Sequence, residues 1–144
     1  MFALNKFKQA QKLACGLIAK QNYFYSILQD EIKLTENCIK MIKQKSRNDK
    51  FLRLTVESGE GCGGFAYKFQ FDNSVTDDDS VYKENENKIL FVCDNLTLNF
   101  IKGATVDYES DMMKSAFYVQ INPNAEKECS CKSSFSPKDS VFNF

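Results

Sequence analysis

Residues Leu52 to Asp72 read LRLTVESGEGCGGFAYKFQFD, and this stretch predicts the centre of the fold. On both sides of a glycine-rich segment, hydrophobic and polar residues alternate with a period of two. That period is typical of strands that bury one face, because successive side chains on a strand point to opposite sides of the sheet. The stretch therefore predicts two strands joined by a turn.

The turn between these strands holds four glycines within residues 59–64 and one cysteine, Cys62. Glycine adopts positive φ freely and lets other groups approach the backbone closely. A bulky ligand on the sulfur, such as a metal cluster, needs that clearance. The turn alone is equally compatible with a glycine-rich hairpin that happens to hold a cysteine.

Two more cysteines, Cys129 and Cys131, lie one residue apart near the end of the chain. In an extended segment both side chains point to the same side. Their neighbours are small or polar, so burial does not explain them. Because thiolates favour zinc, copper(I) and iron–sulfur clusters, the three cysteines together indicate a soft-metal site.

The composition excludes several classes of protein. The 144 residues are typical of one domain, and 43% of them are hydrophobic, which is enough for a core. Lys and Arg together number 19, as do Asp and Glu, so nucleic acid is not an expected partner. No apolar run is long enough to span a membrane. The chain has no histidine, which excludes histidine-based catalytic triads, and we find no constellation for enzymatic turnover.

The other cysteines do not indicate a secreted disulfide framework, since they are spread over a chain with a good core. Cys38 and Cys93 fall on apolar stripes and are predicted to be core residues rather than ligands.

The fold class predicted is mainly β with two or three short helices in one domain. Thr35 and Asp94 are predicted helix N-caps, and Gly103 is a predicted helix end. Residues 72–87 are predicted to be mainly a solvated loop, and regular structure is expected to end at Asn122-Pro123. The predicted helices are Leu34–Arg47 and Asn95–Lys102, and the further strands are Lys88–Cys93, Ala104–Glu109 and Ser115–Ile121.

Residues 1–29 carry four lysines and no acidic residue, with apolar residues at helical spacing. This pattern is typical of a mitochondrial transit peptide, with an ordinary N-terminal helix as the alternative. Residues 30–137 then form the domain with its cysteine-bearing tail, and residues 138–144 are expected to be a disordered end.

Three segments resemble the A-type iron–sulfur carrier family, which includes IscA, HesB and ErpA. They are LRLTVESGEGCGGFAYKF, FIKGATVDY and AFYVQINPNAEKECSCKSSF. The resemblance implies a HesB-like β-sandwich or pseudobarrel, and Cys62, Cys129 and Cys131 match the family's three cysteines. Two residues that directly follow these cysteines differ from the family pattern: Gly63 stands where serine is usual, and Lys132 stands where glycine is often found.

The resemblance implies a carrier that accepts and delivers iron–sulfur clusters, 2Fe–2S and/or 4Fe–4S, during 4Fe–4S protein maturation in the mitochondrial matrix. It also implies partners: a paralogous A-type carrier, a glutaredoxin donor, a folate-binding-type maturation factor and apo recipient proteins. Such clusters usually have four cysteine ligands, whereas Cys62, Cys129 and Cys131 make three. Either a second subunit in a homodimer or heterodimer or a small exogenous thiol would complete the set.

Two other functions remain open on the residues alone. Cysteine-rich sites suit zinc equally well, so the chain could be a zinc- or iron-binding module without cluster transfer. A thiol redox protein using Cys129 and Cys131 is less favoured, because no base, histidine or helix N-terminus is apparent nearby to lower a thiol pKa.

Overall fold

A computed structural model describes residues 26–27, 31–59 and 64–142 of the chain. Within them, a seven-stranded sheet has the order β1-β5-β6-β3-β4-β10-β9, and a three-stranded sheet has the order β2-β7-β8. No helix in these ranges is long and apolar enough to cross a membrane. The strands are β1 Ser26–Ile27, β2 Lys33–Leu34, β3 Phe51–Ser58, β4 Phe65–Asp72, β5 Asp79–Asn85, β6 Lys88–Asp94, β7 Thr105–Ser110, β8 Ser115–Ile121, β9 Ala125–Glu128 and β10 Ser134–Pro137; the helices are α1 Glu36–Lys45 and α2 Asn95–Ile101.

The central strand pair forms as the alternating sequence predicts. β3 and β4 are antiparallel, and their register runs from Phe51 opposite Asp72 to Ser58 opposite Phe65. β3 also pairs in parallel with β6, which places it in the interior of the sheet. Its residues Leu52 and Leu54 are buried in the main core, which combines residues from both sheets and both helices. The pair is therefore held by backbone bonds on both sides of β3 and by hydrophobic burial.

Both predicted helix caps are confirmed. The Thr35 hydroxyl accepts a hydrogen bond from the Cys38 backbone N–H at 3.1 Å. The Asp94 carboxylate accepts one from the Thr97 backbone N–H at 2.7 Å. Each cap satisfies a donor that a helix start leaves without a partner inside the helix, so each fixes where its helix begins. Gly103, just after α2, has φ +79°, in the left-handed region that favours glycine.

Cys38 and Cys93 are core residues, as predicted, and both are fully buried. Burial, reinforced by the negative charge of Asp107, raises the pKa of the Cys38 thiol to about 12. Burial also raises the pKa of Cys93, with Asp94 and Asp79 adding to the effect. Both groups therefore stay protonated at neutral pH, and a protonated thiol is a poor metal ligand.

The prediction of a solvated loop over residues 72–87 is wrong for its second half. β5 begins at Asp79 and pairs antiparallel with β6. Asp79 is only 2% exposed, because its carboxylate accepts two hydrogen bonds from the Arg53 guanidinium, at 2.8 and 2.9 Å. Burial acts to raise the pKa of Asp79, but the Arg53 contact and the bonds from Thr76 outweigh it and lower that pKa. The sequence pattern does not predict this strand, because its first residue is an aspartate, and aspartate is rarely buried unless it is paired.

Two very short strands precede α1. β2 pairs in parallel with β7, and β1 pairs in parallel with β5. β1, Ser26–Ile27, falls at the end of the 1–29 segment predicted to be a transit peptide. Residues 1–25 and 28–30, including Cys15, lie outside the described residues.

The expectation that regular structure ends at Asn122-Pro123 is also wrong. β9 and β10 form an antiparallel hairpin, and β10 continues the large sheet by pairing with β4. Phe135 of β10 is only 3% exposed, so one large side chain anchors an otherwise polar segment. Asp139–Phe142, inside the 138–144 stretch expected to be disordered, form a 3₁₀ helix.

The turn between β9 and β10 contains the C-x-C pair. The Lys132 backbone N–H donates to the Cys129 carbonyl at 2.9 Å, and the Cys129 N–H donates to the Ser134 carbonyl at 2.9 Å. Lys132 has φ +54°, a left-handed conformation that costs a non-glycine residue roughly 1–2 kcal/mol. Its ammonium lies 4.4 Å from the centre of the Tyr118 ring, a cation–π contact worth about 0.5–1 kcal/mol. The contact thus offsets part of the backbone strain.

We predict that replacing Lys132 by alanine destabilises the turn more than replacing it by glycine. Alanine keeps the backbone strain and loses the Tyr118 contact, whereas glycine loses the contact but relieves the strain. We expect the Lys132→Ala protein to be less stable than Lys132→Gly by about 1 kcal/mol. Urea unfolding measures the difference, and hydrogen exchange of the backbone amides at residues 129–134 localises it.

Lys127→Ala is the matched control, since Lys127 is an exposed lysine of the same hairpin without a positive φ. We expect its free energy of unfolding to stay within about 0.5 kcal/mol of the wild-type value. An alanine variant at position 132 as stable as the glycine variant would show that backbone strain does not govern this turn.

Candidate metal centre

The pairing of β4 with β10 positions the candidate site. Ser134 lies opposite Ala66 and Phe135 lies opposite Phe65, so the cysteine turn stands beside the start of β4. At Gly64 the two strands come so close that a Cβ would lie 2.4 Å from the Phe135 carbonyl oxygen. A side chain at position 64 would therefore push the hairpin away from β4.

The segment that carries Cys62 is closed at its base by a hydrogen bond. The Gly59 backbone N–H donates to the Gly64 carbonyl at 2.8 Å. Residues 60–63, and so Cys62 itself, lie outside the described residues.

The two thiols of the hairpin turn point to the same side, as the C-x-C spacing predicts. The sulfur atoms of Cys129 and Cys131 lie 3.1 Å apart. Cys131 is exposed and Cys129 is half-buried. The pair is therefore presented on the surface, where an incoming metal or cluster can reach it.

Hydrogen bonds favour the thiolate form of Cys131. The Ser133 hydroxyl lies 2.8 Å from its sulfur, and Ser133, followed by Cys129, lowers the pKa of Cys131 to about 7. A substantial fraction of Cys131 is therefore ionised at neutral pH, and the thiolate is the form that binds metal. The only sign of this effect in the sequence is the hydroxyl residue two positions after Cys131, and it was not used to predict the thiolate.

One cavity of about 300 Å³ brings together both parts of the predicted site. Gly59 and Gly64, the two residues that flank the 60–63 segment, line it, and so do Cys129 and Cys131. Ala66, Tyr67, Ser133 and Ser134 complete its wall.

Tyr67 and Asn122 brace this cavity, although no motif in the sequence marks either residue as functional. The Tyr67 ring stacks on Phe135, with ring centres 4.5 Å apart and planes 10° apart. Its hydroxyl accepts a hydrogen bond at 2.8 Å from the side-chain amide of Asn122, which also donates to the Phe100 carbonyl. Burial raises the pKa of Tyr67, so its hydroxyl stays neutral. These contacts tie the hairpin to β4 and α2.

Residues 31–59 and 64–142 contain no group of three or more Cys, Asp or Glu side chains placed to hold a metal ion. Cys129 and Cys131 are thus a pair in the described part of the chain. Gly59 and Gly64, which flank residues 60–63, lie in the wall of the same cavity as these two cysteines.

The chain is similar to known proteins over most of its length. The model of a family described as iron-sulphur cluster biosynthesis matches residues 30–133. The mouse protein named iron-sulfur cluster assembly 2 homolog, mitochondrial, is 42% identical over 108 residues, which are 75% of this chain and 68% of that protein. The iron-sulfur cluster insertion protein ErpA of Francisella tularensis subsp. novicida is 41% identical over 96 residues, 67% of this chain and 79% of that protein.

Solved structures show the same fold. A crystal structure of IscA with a [2Fe-2S] cluster superposes with a TM-score of 0.62 at 23% identity and covers 74% of this chain and 98% of its own. The crystal structure of Escherichia coli SufA superposes with a TM-score of 0.59 at 26% identity and covers 74% and 92%. These neighbours confirm the predicted mainly β, HesB-like fold. Because the family model and the relatives cover well over half of the sequence, the chain belongs to the iron–sulphur cluster biosynthesis family of A-type carriers.

Proposed function

We propose that the chain is a carrier that binds a labile iron–sulfur cluster through Cys62, Cys129 and Cys131 and delivers it to other proteins. The observation that supports this function best is the shared cavity: both flanks of the Cys62 segment and both hairpin thiols line it. The sulfur atoms of Cys129 and Cys131 are 3.1 Å apart, so both thiolates could bind a single iron or two adjacent irons.

The exposure of the site favours transfer over permanent retention. Cys131 lies exposed on the surface. An electron-transfer protein benefits from a closed shell around its cluster, whereas cargo must be reached by an acceptor thiol. The arrangement is compatible with a 2Fe–2S or a 4Fe–4S cluster, both of which are held by cysteine thiolates.

We predict that Cys62→Ser, Cys129→Ser and Cys131→Ser each lose most of the bound iron and sulfide after anaerobic reconstitution. Serine keeps the size of the side chain but removes the thiolate that iron prefers. Iron and sulfide counts, together with visible absorption, measure the loss. Circular dichroism establishes that each variant remains folded.

Cys38→Ala and Cys93→Ala are the matched cysteine controls, and we expect both to load a normal cluster, because both thiols are buried and protonated. Full loading of the Cys62→Ser protein would refute the ligand set. A colourless protein that takes up zinc and no cluster would instead support the alternative, a zinc- or iron-binding module.

We also propose that a second subunit supplies the missing ligation when no other thiol is present. Three protein thiols fall short of the usual four, so a homodimer or a heterodimer with a paralogous A-type carrier would complete the set. We predict that cluster loading without added thiol raises the mass in light scattering to at least that of a dimer. A strictly monomeric loaded protein under these conditions would contradict shared ligation.

The similarity to mitochondrial relatives supports a location in the mitochondrial matrix. We propose that residues up to about Tyr25 direct import and are then removed, because they are basic and free of acidic residues. Removal there would leave Ser26–Ile27, which form β1, in the mature protein. N-terminal sequencing of protein recovered from mitochondria checks this, and an intact Met1 would contradict it.

A further inference from the structure

A second cavity, of about 320 Å³, opens on the other side of the cysteine turn. One wall is the turn itself, and the other is the hairpin formed by β7 and β8. Its volume lies within the range of small-molecule sites, roughly 300–1,000 Å³. Its lining includes Glu109, Lys114, Tyr118, Cys131 and Lys132.

Cys131 lies at the boundary between the two cavities. It lines the cavity that includes the flanks of the Cys62 segment, and it also lines this second one. A molecule in the second cavity would therefore have its near end beside the Cys131 sulfur. A thiol at that end would lie beside one of the three proposed cluster ligands, and a cluster usually takes four thiolates.

The charged side chains around the second cavity have no ion-pair partners in the described part of the chain. Lys114, Lys132 and Glu109 are all exposed, and none of them belongs to an ion pair there. The Lys132 ammonium is held 4.4 Å from the Tyr118 ring centre, which fixes it at the cavity wall. An ammonium over a ring face still has N–H groups to donate to an anion.

We propose that this cavity binds a small thiol that carries two carboxylates and one ammonium, the class of the tripeptide thiol glutathione. Lys114 and Lys132 would each receive a carboxylate, and Glu109 would receive the ammonium. The sulfur would lie beside Cys131, lose its proton to water and bind iron as the thiolate. The ligating role of the sulfur rests on the proposed carrier function, whereas recognition of the charged groups does not.

The pattern of charges distinguishes this ligand from other small anions. Inorganic phosphate would use the two lysines but would leave Glu109 facing a negative charge. A cationic thiol such as cysteamine would meet Glu109 but also the two lysines. Only a molecule with both signs of charge pairs with all three side chains, and only a thiol makes use of Cys131.

The first experiment tests recognition on the apo-protein with S-methylglutathione, whose blocked sulfur neither binds iron nor forms a disulfide. We expect its titration, followed by backbone amide NMR, to shift signals at Lys114, Tyr118 and Lys132. The double variant Lys114→Gln/Lys132→Gln should bind about tenfold more weakly, and Lys114→Gln alone about threefold, because each exposed ion pair contributes modestly.

The control double variant is Lys33→Gln/Lys40→Gln, which removes the same charge from exposed positions on β2 and α1. It should bind S-methylglutathione with wild-type affinity. Equal binding by the cavity variants and the control, or equal binding of inorganic phosphate or cysteamine by the wild-type protein, would overturn the proposal.

The second experiment tests ligation by reconstituting the cluster with glutathione or with S-methylglutathione. With glutathione we expect about one tripeptide per cluster to remain after desalting, and light scattering to show a shift from dimer towards monomer. S-methylglutathione should produce neither change. A wild-type protein that loads a cluster but retains no glutathione overturns the ligating role and leaves the carrier function intact.

The two experiments distinguish a wrong carrier function from a wrong assignment of the second cavity as a binding site. If the wild-type protein holds no cluster under any condition, the carrier function and the ligating role of the sulfur both fall. The S-methylglutathione titration still decides recognition in that case, since it contains no iron and no sulfide.

Discussion

The candidate site depends on the pairing of β4 with β10. This pairing is possible because position 64 has no side chain: a Cβ there would lie 2.4 Å from the Phe135 carbonyl oxygen. It places Gly64 beside the turn that carries Cys129 and Cys131. Two parts of the chain that are far apart in sequence thus meet at one cavity, and the proposed metal site depends on that meeting.

A small number of aromatic contacts hold the polar hairpin in place. Phe135 is buried, stacks on Tyr67 and lies within 6.4 Å of the ring centres of Phe65 and Phe100. Such pairs each contribute about 0.5–1.5 kcal/mol beyond the area they bury. Because these contacts lie at the β10 end of the hairpin, the turn can keep the Cys131 thiol exposed without loosening the strand behind it. The same short hairpin therefore combines a firmly packed strand, β10, with an accessible sulfur at Cys131.

Local signals allowed about half of this arrangement to be predicted from the sequence. Alternation revealed β3 and β4, side-chain caps revealed both helix starts, and apolar stripes placed Cys38 and Cys93 in the core. β5, β9 and β10 were missed because the contacts that anchor their hairpins to the rest of the sheet are distant in sequence: Arg53 for Asp79, and β4 for β10. Only the partners within each hairpin, β6 for β5 and β10 for β9, are close in sequence. The cysteine spacing predicted that the hairpin thiols would lie together, but the second cavity depends on the β7–β8 hairpin, which no motif linked to the cysteines.

Lys132 shows how strain and recognition are combined at one position. A glycine there would adopt φ +54° without strain, yet it would remove both the contact with Tyr118 and one of the two cations at the second cavity. The left-handed conformation also determines where the side chain leaves the turn, and the Tyr118 ring then holds the ammonium at the wall of the cavity that Cys131 also lines. A positive charge at that wall attracts an anionic ligand. The backbone strain at Lys132 thus accompanies two contributions of the same residue: its backbone closes the cysteine turn, and its ammonium supplies positive charge to the adjacent cavity.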